Sequence, residues 1–222
     1  DKLGFDPAEN VAQIARDRGL NIVTDYFSLA SYNKVRPNIK AKVVTSIAMF
    51  YDLEDPTQFV RDVATILADD GVWVMELSYL PFMMQKNSFD TICHEHLEYY
   101  TLRQIEWMLQ RALLLVHRIE FNDINGGSFR LFIRKQAFRT IPEGDRIAIN
   151  RVREVEKILG LDTDRPYAVF REAVLRVSEG LRRLGVKATE ADDSLVIHGT
   201  KPERAVIDSR GDHRIAMAFS IL

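Results

Sequence analysis

The chain has 222 residues, 46% of them hydrophobic and 28% charged, with a formal net charge of −2. That composition supports a packed core of ordinary globular type, and it lacks the clustered basic excess that a nucleic-acid interface needs. Cys93 is the only cysteine, which excludes an internal disulfide and a cysteine-built zinc knuckle. No apolar run approaches the roughly 20 residues of a membrane span and no leader peptide is visible, so a cytoplasmic protein is the expectation.

In chain order, DKLGFDPAENVAQIARDRG reads as a strand end, an acidic turn and a helix. Asp6 and Pro7 suit the N-cap and first helical position, with Val11, Ile14 and Ala15 as the apolar stripe. A start in mid-pattern without a methionine reads as a fragment or a processed chain. Asn21 to Val23 reads as a short strand. Ala41 to Phe50 is β-branched and almost wholly apolar, which predicts a strand covered on both faces. Asp55-Pro56 then opens a helix carrying Phe59, Val60, Val63, Ile66 and Leu67 at helical spacing. Asp70-Gly71 is a turn signal, and Val72 to Ser78 is the next buried strand. This strand–helix–strand order predicts an α/β fold built on a doubly wound parallel sheet.

Thr101 is suited to cap a helix bearing Leu102, Ile105, Met108, Leu109 and Ala112. Leu114 to Phe121 and Ser128 to Arg134 are strands joined by NDINGG, an Asn/Asp/Gly-rich run that predicts an antiparallel hairpin at the end of the sheet. A helix follows from about Asp145 to Leu159. The pattern changes near Leu175, after which come a helix (SEGLRRLG), a polar turn, a strand (SLVIHG) and a GDHR turn opening an apolar helix.

Two features carry chemistry. Asp6 sits at a strand's carboxyl end, where an acid in a doubly wound fold accepts ribose hydroxyls; capping its own helix is the competing role. There is no G-x-G-x-x-G, so nothing cradles a pyrophosphate, which leaves room for a nucleoside ligand without phosphate. The stretch TICHEHLEYY, Thr91 to Tyr100, sets Glu95 between His94 and His96. The residue four beyond His94 is Glu98, so the zinc-protease signature fails. A general base beside a carboxylate, a two-histidine metal site and a polar cluster capping the next helix all fit the spacing.

Three stretches carry a resemblance: TSIAMFYDLEDP (Thr45 to Pro56), ELSYLPFMMQKNSFDTICHEHLEYY (Glu76 to Tyr100) and NDINGGSFR (Asn122 to Arg130). Together with LDTDRPY they resemble S-adenosylmethionine-dependent C-methyltransferases acting on nucleotide-linked deoxysugars, over residues 1–173. The resemblance implies a Rossmann-like class I sheet, S-adenosylmethionine as cofactor and a nucleotide-sugar as substrate. It implies His96 as the base that forms an enolate from a keto-sugar, the enolate attacking the methyl sulfonium, with Glu95 as its acidic neighbour. A base with a pKa near histidine's usual value of about 6.5 suits that proton transfer. Asp6 falls on the ribose-binding acid, Ser46, Ile47, Ala48 and Met49 on the cofactor-lining segment, and Asn125, Gly126, Gly127 and Ser128 on the sugar-nucleotide contact. The two glycines also suit the hairpin's positive φ angles alone. Cys93 stands where the family often has a tyrosine. No metal is implied.

The family's four-cysteine zinc region, first strand and glycine loop have no counterpart, so the chain resembles a methyltransferase cut after its main cofactor loop. The sheet is then expected to lack its first strand, and unpaired edges predict a homo-oligomer or poor solution behaviour. Residues 174–222, with IDSRGDHRIAMAFSIL, resemble part of 5-enolpyruvylshikimate-3-phosphate synthase as a small α/β appendage. There Arg214 falls on the carboxylate contact to phosphoenolpyruvate, or is a solvated turn residue. The Lys-Glu-Ser-Asp-Arg stretch of that enzyme is missing, so enolpyruvyl transfer is not expected. The readings are thus a C-methyltransferase domain or a catalytically inactive fusion that only binds or assembles.

Overall fold

A computed structural model describes residues 2–86, 96–138, 140–161, 163, 175, 178–190 and 195–198. The chain runs β1 (Gly4–Phe5), α1 (Glu9–Asp17), β2 (Ile22–Val23), α2 (Leu29–Val35), β3 (Ala41–Ile47), α3 (Pro56–Ile66) and β4 (Leu67–Ser78). It continues through α4 (Leu80–Lys86), α5 (Leu102–Arg111), β5 (Leu114–Asn122), β6 (Ser128–Lys135) and α6 (Glu143–Ile158), with β7 (Ala188–Glu190) and β8 (Leu195–Ile197) further on. The main sheet has the order β3-β4-β6-β5; β1-β2 and β7-β8 form separate two-stranded sheets. β3 and β4 are parallel, whereas β6 is antiparallel to both β4 and β5. The fold is therefore mixed α/β with a mixed sheet, and the hairpin read from NDINGG is present.

Alternation along the strands builds the core. Trp73, Met75 and Leu77 of β4 lie opposite Ile133, Leu131 and Phe129 of β6. All six are essentially fully buried and share one cluster with Val60 and Val63 of α3, Ile105 and Leu109 of α5, and Ile149 and Val152 of α6. Each such side chain contributes about 1.5–3 kcal/mol. Helix α3 begins as its sequence requires: Asp55 accepts a 2.8 Å bond from the Gln58 N–H and proline occupies the first turn.

Three expectations are corrected. The run from Ala41 is a strand only to Ile47, and it is not covered on both faces: Val43 is 60% exposed and Ile47 48%. Val44 and Ser46 face the core, whereas Val43, Thr45 and Ile47 alternate onto the opposite side of an edge strand. β-Branched content signals extended backbone, and coverage has to be supplied by neighbours. In α1 the N-cap is Ala8, because the Asp6 Oδ1 accepts from the Ala8 N–H at 2.9 Å and turns the chain before the helix starts. Its expected stripe is mostly open: Val11 and Ile14 are exposed and Ala12 is the buried residue. Finally, Asp70-Gly71 does not separate two elements. It forms an irregularity inside β4, where Ala41 pairs with Leu67 and Val43 with Val72, and a Cβ on Gly71 would meet the Ala41 and Ala68 carbonyls at 3.0 Å.

Candidate functional site

The parallel strands β3 and β4 end side by side, with Ile47 opposite Glu76. Past Ile47 the chain turns sharply: Ala48 adopts a left-handed φ of 53° and its N–H donates to the Glu76 carbonyl at 2.8 Å. Ala48 is exposed and Met49 half-buried at the carboxyl end of the strands. Phe50 to Asp52 then make a single helical turn. The Tyr51 carbonyl accepts from Leu97 N–H at 2.9 Å and from Glu98 N–H at 3.1 Å, and the His96 ring lies 4.5 Å from the Tyr51 ring. The structure thereby brings His96 to the segment that leaves β3. Glu95 and His94 lie outside the described residues, as does Arg214, so neither the Glu95–His96 pairing nor the two-histidine metal site has a geometry here.

The other candidates divide. Ser46 is buried and its Oγ accepts the Trp73 indole N–H at 2.9 Å, so its side chain serves the core. Asp6 stands at the end of β1 on the separate two-stranded sheet, half-buried, holding its own helix start. In the hairpin turn, Gly126 and Gly127 have φ of 80° and 123°. A Cβ on Gly127 would meet Phe82 at 2.7 Å, and its carbonyl accepts from the Tyr79 N–H at 3.1 Å. Ser128 is buried and donates to the Ile124 carbonyl at 2.8 Å. Asn125 lies in the turn between them. The turn is thus packed against α4, and its conformational demand accounts for both glycines.

Three residues that the sequence reasoning passed over organise this end. Glu76 is buried on β4, and its Oε2 accepts from Arg130 Nε at 2.7 Å and Asn122 Nδ2 at 3.0 Å, tying both ends of the hairpin turn to the strand beside Ala48. The signal was present: a carboxylate within the otherwise apolar run of residues 72–77 and an arginine two residues after GGS. Glu156 of α6, also buried, accepts from the Tyr79 hydroxyl at 2.8 Å, the Leu102 N–H at 2.7 Å and the Arg103 N–H at 3.2 Å. It caps the start of α5 from another helix, where a carboxylate also meets the helix dipole favourably. Burial raises its pKa above the usual carboxylate range, opposed by those same bonds. Tyr79 is held as a neutral phenol by burial and by the Glu156 charge.

A family model described as Methyltransferase domain matches residues 2–116. The chain belongs to the methyltransferase domain family. The matched residues take in β1 through β4, the turn after Ile47, and His96. A second model, EPSP synthase (3-phosphoshikimate 1-carboxyvinyltransferase), matches residues 170–222. Over 195 residues, 87% of this chain, it is 29% identical to the C-methyltransferase NovU of Streptomyces niveus, of which it spans 46%. Over 46 residues it is 59% identical to the 3-phosphoshikimate 1-carboxyvinyltransferase of Dehalococcoides mccartyi, covering 21% of this chain and 11% of that one. Among solved structures, the magnesium protoporphyrin IX methyltransferase of Synechocystis aligns with a TM-score of 0.45 at 14% identity, over 60% of this chain and 64% of its own. The methyltransferase domain thus accounts for the main sheet through the start of β5, and the suspected joining of two families is present. No helix among the described residues is long and apolar enough to cross a membrane.

Proposed function

We propose that the chain acts as an S-adenosylmethionine-dependent C-methyltransferase on a nucleotide-linked keto-deoxysugar. The observation that carries the reading is the position of His96, held against Tyr51 beside the backbone that turns out of β3. We divide the chain into a methyltransferase portion, residues 1–173, and a synthase-like portion, residues 174–222, and place the reaction in the cytoplasm, where nucleotide sugars are made.

The residues at the strand ends fit the cofactor. Ala48 is an exposed residue there, and a carboxylate such as Asp6 keeps acceptor capacity beyond the one bond to Ala8. Asp6 and residues 46–49 would hold S-adenosylmethionine, which supplies an electrophilic methyl group when bound. His96 removes the proton from the sugar carbon beside the carbonyl, and Glu95 orients the ring and stabilises the imidazolium. Residues 125–128 place the sugar nucleotide, with Glu76 and Arg130 holding that turn in position. Arg214 has no part in this reaction.

A second reading, binding or assembly without catalysis, rests on the joining of two family matches in one chain. Titration calorimetry with S-adenosylmethionine separates the two. Micromolar binding supports the enzyme, and nothing tighter than millimolar supports the inactive fusion. Given binding, His96→Asn is expected to abolish methyl transfer and leave cofactor affinity nearly unchanged; equal turnover removes His96 from the mechanism.

A further inference from the structure

The sheet β3-β4-β6-β5 has two unlike faces. Trp73, Met75 and Leu77 of β4 and their partners on β6 fill one face, almost without solvent contact, under α3, α5 and α6. The residues that alternate onto the other face are also apolar. Val43 and Ile47 of β3, 60% and 48% exposed, lie opposite Val72 and Glu76 of β4. Val74 lies opposite Phe132 of β6, and Leu115 of β5 opposite Arg134. Val72, Val74, Leu115 and Phe132 are half-buried by their strand neighbours. Among the described residues, none of the six apolar side chains belongs to the core cluster or packs against it. Neighbouring parallel strands that are apolar on both sides occur in sheets covered on both faces, so this face calls for a cover.

The charges beside the patch narrow what the cover is. Arg130 pairs with the buried Glu76 at 2.7 Å, and Arg118, 5.4 Å over the Phe132 ring, pairs with Glu120. Both cations are neutralised within the chain, which disfavours an anionic membrane or a nucleic acid. A partner that covers them buries paired charges and not isolated ones. A second copy of the chain brings the same apolar rows and the same neutral pairs, at the chain's own concentration. Four strands of about seven residues give a patch of about 20 Å by 23 Å, roughly 450 Å² on each copy. Two such faces together cover roughly 900 Å², short of the ~1,600 Å² of a standard stable complex. We propose that the chain forms a weak dimer through this face, sheet on sheet about 10 Å apart, with a dissociation constant on the order of 10–100 μM. The contact uses the face of the sheet and leaves its strand edges free, and it does not depend on the proposed reaction.

Sedimentation velocity on the whole chain, from about 2 to about 200 μM, tests this, with the dimer fraction expected to rise across that range. Phe132→Glu on β6 and Val72→Lys on β4 each put a charge into the patch on an interior strand, away from either edge of the sheet. Each should weaken the dimer by about tenfold or more and leave the far-UV circular dichroism of the parent. Cross-saturation NMR between a protonated and a deuterated copy gives a readout that needs no substitution: saturation should reach the methyl groups of Val72, Val74 and Leu115. A chain that stays monomeric throughout the range overturns the inference. So does a dimer whose affinity survives both folded variants, or saturation that arrives at other methyl groups and misses these; either result moves the association to the strand edges or elsewhere.

Discussion

Replacing Glu156 with alanine takes one carboxylate from three donors at once. The Tyr79 hydroxyl and the Leu102 N–H are both buried, and each is left without a partner. An orphaned buried donor costs about 1–3 kcal/mol. The Arg103 N–H belongs to an exposed residue that water can reach, and adds about 0.5 kcal/mol. Allowing for partial relaxation, Glu156→Ala should destabilise the fold by about 3–5 kcal/mol, a large part of the 5–15 kcal/mol typical of a domain. Glu156→Gln keeps one oxygen for Tyr79 and Leu102 and turns an amide toward Arg103, so its cost should be near 1–2 kcal/mol. Urea unfolding followed by far-UV circular dichroism measures both, and the midpoint should fall with an unchanged slope. A loss under about 1 kcal/mol for the alanine variant would refute the argument. Equal losses for alanine and glutamine would show that charge, and not the number of satisfied donors, carries the effect.

Three further outcomes are expected. Burial lowers the His117 pKa, and its Nε2 has no partner, so the folded protein holds this ring neutral. Its contribution is fully present above the unfolded value of about 6.5 and is lost as pH falls through the depressed folded value; His117→Leu should flatten that slope in urea midpoints taken between pH 7.5 and pH 5, values on the order of one unit either side of the unfolded pKa. Gly127→Ala puts a methyl group 2.7 Å from Phe82 at a φ of 123° and should cost about 2–3 kcal/mol in the same assay; a neutral result would mean that the turn has a second conformation. Val43→Lys places a charge on the exposed edge strand β3 and should reduce self-association in light scattering; a parent chain that is already a monodisperse monomer would remove the reason for the change.

Local chemistry was legible and distant chemistry was not. The Asp55-Pro56 start of α3, Thr101 before α5 and the Asn/Asp/Gly turn between β5 and β6 were readable because each is decided by a few adjacent residues. Coverage of β3 was not, since whether Val43 meets water depends on what lies across the sheet and along its edge. Likewise the role of Glu156 depends on Leu102, 54 residues away, and in the sequence it looks like one more charge on an amphipathic helix. His96 was singled out by its motif, whereas its contact with Tyr51 depends on a turn far back in the chain. Glu76 was overlooked because its partner, Arg130, was read only as the end of a glycine-rich motif.

The Glu156 contact also bears on how the chain is organised along its length. The bonds that fasten α5 come from Tyr79, the Leu102 and Arg103 amides and Glu156, and none of these residues lies beyond position 156. The synthase-like match begins at residue 170. The clasp at the start of α5 is therefore complete before the synthase-like match begins.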